Sequence, residues 1–194
     1  MTDTGPLGIL AATDGPAQVL EELQFTLGEG PCIDSSVSGR PVLQPELALT
    51  GESRWLGFTA GALEAGVKAI FAFPLQVGGI RIGVLELYRD AEGELGSGEL
   101  VEALAFSDAA VSVLLHLQSE AGPGTVHPAL AAGVSDRSEV HQATGMIAGQ
   151  HSLTLTQALV MLRARAYAAE RPILDIARDV LSRRLVLGDL HAGD

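Results

Sequence analysis

The stretch IFAFPLQVGGIRIGVLELY, residues 70–88, decides how the N-terminal part of this 194-residue chain folds. Its two halves are rich in β-branched, aromatic and other apolar residues and meet at Gly78-Gly79. A pair of glycines reaches the positive φ values of a tight turn whose twist matches the flanking strands. The reading is a β-hairpin. Its second run, Ile80 to Tyr88, is almost continuously apolar, which points to a central strand covered on both faces.

Upstream, LGILAAT (Leu7 to Thr13) ends in Asp14-Gly15-Pro16 and reads as a strand. In AQVLEELQF, Val19, Leu20 and Leu23 with Gln24 give a helical stripe. GEGPCIDSSVSGRPVLQPEL, residues 28–47, is punctuated by three glycines and three prolines and reads as loop around two short extended pieces. RWLGFTAGALEA, residues 54–65, reads as a short helix with Trp55 and Phe58 on one side. Downstream, DAEGELGSG is a polar turn with Ser97 as helix N-cap. Residues 98–117 then form a helix whose apolar side holds Leu100, Leu104, Val111, Leu114 and Leu115.

AGPGTVHPALAAG, residues 121–133, interrupts that helix and marks a domain boundary. Beyond it the pattern is helical throughout. Asp136 and Glu139 resemble a capping box ahead of a stripe at Val140, Ala143, Thr144 and Ile147. A second helix runs from about Thr154, with Leu155, Ala158, Leu159, Leu162 and Ala166 buried. A third begins at Pro172 and carries Ile173, Ile176, Ala177, Val180 and Arg184 at helical spacing. The fold class is α+β, an antiparallel sheet flanked by helices followed by an all-α three-helix bundle.

Charge divides along the same boundary. The net charge is −12, which disfavours a polyanionic partner for the chain as a whole. Yet residues 1–137 hold 6 basic and 18 acidic side chains, whereas residues 138–187 hold 6 basic and 4 acidic. The bundle is the part able to approach phosphates, and its cations are all arginines, the better fork for phosphate and base edges. MTDTGP lacks the basic and apolar regions of a secretory signal. No unbroken apolar run reaches the roughly 18 to 20 residues that span a bilayer. The expectation is a cytoplasmic protein without a membrane partner.

The C-terminal pieces QATGMI (142–147), TQALVMLR (156–163) and RPILDIARDVL (171–181) together resemble the ANTAR domain, the three-helix RNA-binding module of transcription antiterminators. The resemblance covers residues 136–187. The pieces LGEGPC (27–32), SGRPVLQPEL (38–47), RWLGF (54–58) and FPLQVGGIRIGVLELY (73–88), in that order, resemble a GAF domain of the kind coupled to ANTAR modules in actinobacterial regulators. The implied organisation is a GAF-like sensory domain at 1–120 that is short at its N-terminus, with no counterpart of the family's first helix and strand before Leu7. A linker at 121–135, the ANTAR domain at 136–187 and a tail at 188–194 follow. Many ANTAR sequences carry Lys where Thr144 stands.

The resemblance implies an RNA-binding antitermination regulator acting as a homodimer on a pair of stem-loops in a leader transcript, with a small-molecule or protein input at the GAF-like domain. Unstacked loop bases suit a guanidinium beside a phenol ring, which Arg163 and Tyr167 supply four residues apart. Arg165, Arg171, Arg178, Arg183 and Arg184 supply phosphate contacts. Against this stands a solvated arginine face, with Asp179 four before Arg183 and Asp175 three before Arg178. The alternative function is a ligand-binding or protein-docking module with a helical dimerisation tail and no RNA binding.

Other signals have plainer readings. Gly145, mid-helix, is expected to serve close helix packing. Cys32 is expected to be a small buried apolar residue rather than a reactive thiol, and Trp55 and Phe58 core rather than pocket. The five histidines lack zinc-binding spacing, and nothing resembles a phosphate loop or a nucleophile motif. No enzyme, metal or cofactor is expected.

Overall fold

Gly78 takes φ +57° and turns the chain between two strands, β2 (Ala69–Val77) and β3 (Ile80–Arg89), whose ends pair as Val77 with Ile80. Gly79 stays out of the positive-φ region, so one glycine of the pair makes the turn. This computed structural model describes residues 9–187 apart from 14, 52 and 123, with side chains of 50 and 132–136 also outside the description. A short strand, β1 (Val42–Gln44), adds to the other edge of β2 and gives an antiparallel sheet of order β1-β2-β3. Pro74 lies beyond the stretch that β1 pairs, where a missing N–H is tolerated.

The central strand is therefore β2, and the expectation of a central second run is corrected. Residues 69–73 are buried without a break, whereas every residue of β3 is partly exposed or more. An apolar run reports what a strand could cover, not which neighbours it has. Alternation along β2 feeds two cores. Ile70 and Ala72 join Leu20, Val42, Leu47, Trp55, Phe58, Ala62 and Val67, while Ala69, Phe71 and Phe73 join Ala103.

On the first face lie α1 (Pro16–Leu27), α2 (Pro31–Ser38), α3 (Leu47–Thr50) and α4 (Leu56–Glu64). Helix α2 replaces the first of the two extended pieces expected in residues 28–47. The proline and glycines taken there as breakers are its ends: Pro31 occupies the first turn and Gly39 closes it at φ +68°. Residues 9–13, the described part of the expected strand at Leu7–Thr13, carry no strand, and residues 7, 8 and 14 lie outside the description. Trp55 and Phe58 are buried edge to face, as core. Glu29 accepts from Gly57 N and Phe58 N at 2.8 and 2.9 Å, placing a carboxylate on the orphan donors of α4.

On the second face lies α5 (Ser97–Glu120). Gly96, not Ser97, is its N-cap, and Glu99 closes the turn by accepting from Gly96 N at 2.7 Å. Only Ala103 and Ser107 are buried. Leu104 and Leu115, expected on the apolar side, are 45% and 48% exposed, beside Val101, Phe106 and Val113. The sheet covers one narrow stripe and the rest of the helix stays apolar outside it. An 18-residue window of α5 has mean hydropathy 1.7, so by length and composition alone the helix is able to cross a membrane. Asp108, Ser112 and His116 interrupt its apolar run, which is why a count of unbroken apolar residues passes over this helix.

The C-terminal part is α6 (Pro128–His151), α7 (Leu155–Ala168) and α8 (Ile173–Leu181). Their core gathers Val140, Ala143, Ile147, Ala158, Leu159, Leu162, Ala166, Ile173, Ile176, Ala177 and Val180. Helix α6 begins eight residues before the expected cap at Asp136, which lies inside the helix. Pro128 fits its first turn and His127 Nδ1 accepts from Ala129 N at 3.2 Å. Leu155, expected in the core, is exposed.

Candidate nucleic-acid interface

Thr154 starts α7 firmly. Its hydroxyl accepts from Gln157 N, and Gln157 Oε1 accepts from Thr154 N at 2.9 Å, a reciprocal cap. From that start the buried positions 158, 159, 162 and 166 fix which way the polar ones point. Tyr167 is 65% exposed, so its ring faces solvent. Arg165 is exposed too, and neither Arg165 nor Arg183 makes an ion pair among the described residues.

Arg163 is elsewhere. It is half-buried, and its Nε donates to Phe25 O, in α1, at 3.2 Å. Burial, with Arg137 nearby, holds its pKa below the ordinary guanidinium range. The expected guanidinium and phenol four residues apart thus stand in different surroundings, one against the N-terminal half and one in water.

Arg171 and Arg184 converge on Asp179 at 2.9 and 2.8 Å, and together they hold the Asp179 carboxyl below the usual range, Arg184 having the larger effect. The partner of Asp179 is therefore Arg184 and not Arg183, because the chain leaves the helix at Ser182 and Arg183 takes φ +58°. Arg178 pairs with Asp175 at 3.8 Å, as the spacing indicated, and with Glu139 of α6 at 2.8 Å. All these pairs are at the surface, where solvent screens them and the cost of ordering long side chains offsets much of their attraction.

Thr144, where a cation is common in the resembling family, is buried and its hydroxyl donates to Val140 O at 2.7 Å. A side chain there faces the core. Gly145 departs from its expected packing role, because an added Cβ would meet nothing within 4 Å. Cys32 is buried and free, and burial pushes its thiol pKa up, away from reactivity. Among the described residues no cluster of His, Cys, Asp or Glu could hold a metal ion.

Two residues escaped the sequence reading. Arg137 is buried, its Nη2 is 3.3 Å from Glu21 Oε2, and its guanidinium carbon sits 3.8 Å from the Phe25 ring centre. Phe25, in the N-terminal half, belongs to the bundle's core. Both contacts join residues more than a hundred apart, and no local spacing signals them.

Residues 129–181 match the ANTAR domain family. The match begins within one residue of the first residue of α6 and ends on the last residue of α8. The C-terminal helical unit is an ANTAR domain. Comparison with curated proteins and with solved structures gave no match.

Proposed function

We propose that the chain is an RNA-binding regulator of transcription termination, in which a GAF-like sensory unit controls an ANTAR output that acts as a homodimer. The family match over residues 129–181 carries this reading, because it overlaps most of residues 138–187, where 6 basic side chains stand against 4 acidic ones. We divide the chain at 1–120, 121–135, 136–187 and 188–194, with the first output helix reaching back to Pro128. The RNA surface comprises Arg165, Tyr167 and Arg183, with Arg171, Arg178 and Arg184 exchanging acidic partners for phosphates, and Arg163 once it is freed. The protein works in the cytoplasm, without a catalytic step, a metal or a cofactor.

Supporting the homodimer is α5, whose Val101, Phe106 and Val113 stand exposed to water. Such a surface is unfavourable in water and suits a second copy related by a twofold axis. A dimer also doubles a footprint that is otherwise weakly cationic.

The test is binding of a two-hairpin leader RNA across a salt series. Affinity is expected to fall linearly in log–log form, and removing Arg165 and Arg183 together is expected to make the slope shallower by about 2. Binding that ignores salt and both substitutions sinks the reading. The docking-module alternative is favoured by one observation, the capture of Arg171 and Arg184 by Asp179, and it expects no RNA affinity at any salt.

A further inference from the structure

Helix α1 belongs to two cores at once. Leu20, with Leu23 and Leu27, packs under the sheet beside Trp55 and Phe58. Gln24 on the same side donates to both Glu86 carboxylate oxygens at 3.1 Å and accepts from Cys32 N at 2.7 Å. Glu21, Phe25 and Gly28, spaced i, i+4 and i+7, form the other side and face the ANTAR bundle. There Phe25 enters the bundle's core, Arg137 stacks on its ring and pairs with Glu21, and Arg163 caps the C-terminal end of α1 at Phe25 O. Gly28, at φ +72°, ends α1 and makes room for that cap, since a Cβ there would collide with the Arg163 guanidinium.

We propose that this contact is an autoinhibitory clasp: α1 and RNA compete for Arg163, so the output bundle uses that arginine on RNA only when α1 has let go. The inference rests on the RNA-binding reading above. The charge inventory of the contact supports it. Arg137 has the Glu21 carboxylate as a partner, whereas Arg163 has a carbonyl and the negative end of a helix dipole where a phosphate would offer a full charge. Burial lowers the pKa of both arginines and raises that of Glu21, so every charged member loses hydration by docking. Buried pairs of this kind hold a geometry while contributing little net stability, so releasing α1 costs chiefly the burial of Phe25. The N-terminal unit therefore has a physical handle on the output: whatever shifts α1 changes the availability of Arg163.

The experiment measures full-chain affinity for the two-hairpin RNA by fluorescence anisotropy. Glu21→Arg sets a third cation against Arg137 and Arg163, and Glu21→Gln removes the pair with little change of shape. Glu22→Arg adds the same charge at the adjacent exposed position, from which it acts on Arg137 through space without breaking the Glu21 pair. Glu21→Arg is expected to bind about tenfold more tightly than Glu22→Arg, with Glu21→Gln also tighter than the unsubstituted chain, a coupling of ordinary size. Arg163→Ala is expected to cost about tenfold in the Glu21→Arg background and less in the unsubstituted chain, where Arg163 is already engaged. If Glu21→Arg proves unfolded by circular dichroism, Glu21→Gln carries the comparison. Equal affinity of the Glu21 variants and their control, with RNA bound by all, overturns the clasp alone. Absence of binding by every form overturns the RNA reading and the clasp with it.

Discussion

The two cores that meet on α1 are built from different materials. The bundle packs aliphatic side chains and alanines around Ile147, Leu162, Ile173 and Ile176, and its buried polar residues among those described are Arg137 and Thr144. Beneath and around the sheet, Gln24, Ser35, Ser36, Gln44, Thr59 and Ser107 are all buried, and Ser35 Oγ and Thr59 Oγ1 have no hydrogen-bond partner. An unsatisfied buried polar group costs about 1 to 3 kcal/mol. The sheet unit thus buries more polar side chains than the bundle, although the bundle too has such an atom, His141 Nε2 in α6, so the contrast is one of composition. It sets a mixed polar interior and an aliphatic one on the two sides of α1, the helix that holds Arg163.

Leu162→Ala is the largest test of the contrast. Leu162 is fully buried in the bundle, and its truncation should cost about 2 to 5 kcal/mol in urea unfolding of the full chain. A loss below about 1 kcal/mol would mean that the bundle collapses around cavities, and its aliphatic packing would then set it apart from its neighbour in composition only.

Glu86 sharpens the other half. Burial pushes its pKa up to about 8 although Gln24 donates to it. The folded state therefore keeps its proton to a higher pH than the unfolded state, whose value is near the ordinary 4.5. The sign follows: the folded chain binds more protons between those values, so stability declines as pH rises through that window and levels off above it. Glu86→Gln stays neutral and keeps an acceptor for Gln24. It should gain stability over the unsubstituted chain by on the order of a few kcal/mol at pH 9 and almost nothing at pH 4. The check is thermal melting of both forms across that range, and parallel curves would contradict a buried carboxyl.

How much of this was legible in advance depended on range. The hairpin at Gly78-Gly79 is encoded by two residues and their flanks, and the stripe at Val140, Ala143 and Ile147 by one helix's own period. Helix α2 was hidden because Pro31 and Gly39 serve equally well as loop residues or as ends. Strand β3 was misassigned to the centre because apolar content does not say which edge lacks a neighbour. For the candidate site, the outward Tyr167 follows from the buried stripe of α7, but the fate of Arg163 does not. Its partner is Phe25 O, 138 residues away. Pairing between Asp179 and Arg184 likewise depended on the turn at Arg183, which helical spacing assumes away.

The smallest effect expected concerns Gly145, which sits on the exposed side of α6 in ordinary helical conformation with open space where a Cβ would be. Alanine fits there without strain and lowers the entropy of the unfolded chain, so Gly145→Ala should stabilise the protein by about 1 kcal/mol. Among the described residues nothing repays the glycine, and an approach from outside is a physical use that would. A phosphodiester backbone or a second helix can come closer to a helix surface that lacks a Cβ. The substitution therefore separates two quantities that core changes move together: melting temperature should rise while affinity for the two-hairpin RNA falls. A rise in both would mean that nothing approaches this face, and the bundle's contact surface would then lie wholly on the side of Arg165 and Tyr167.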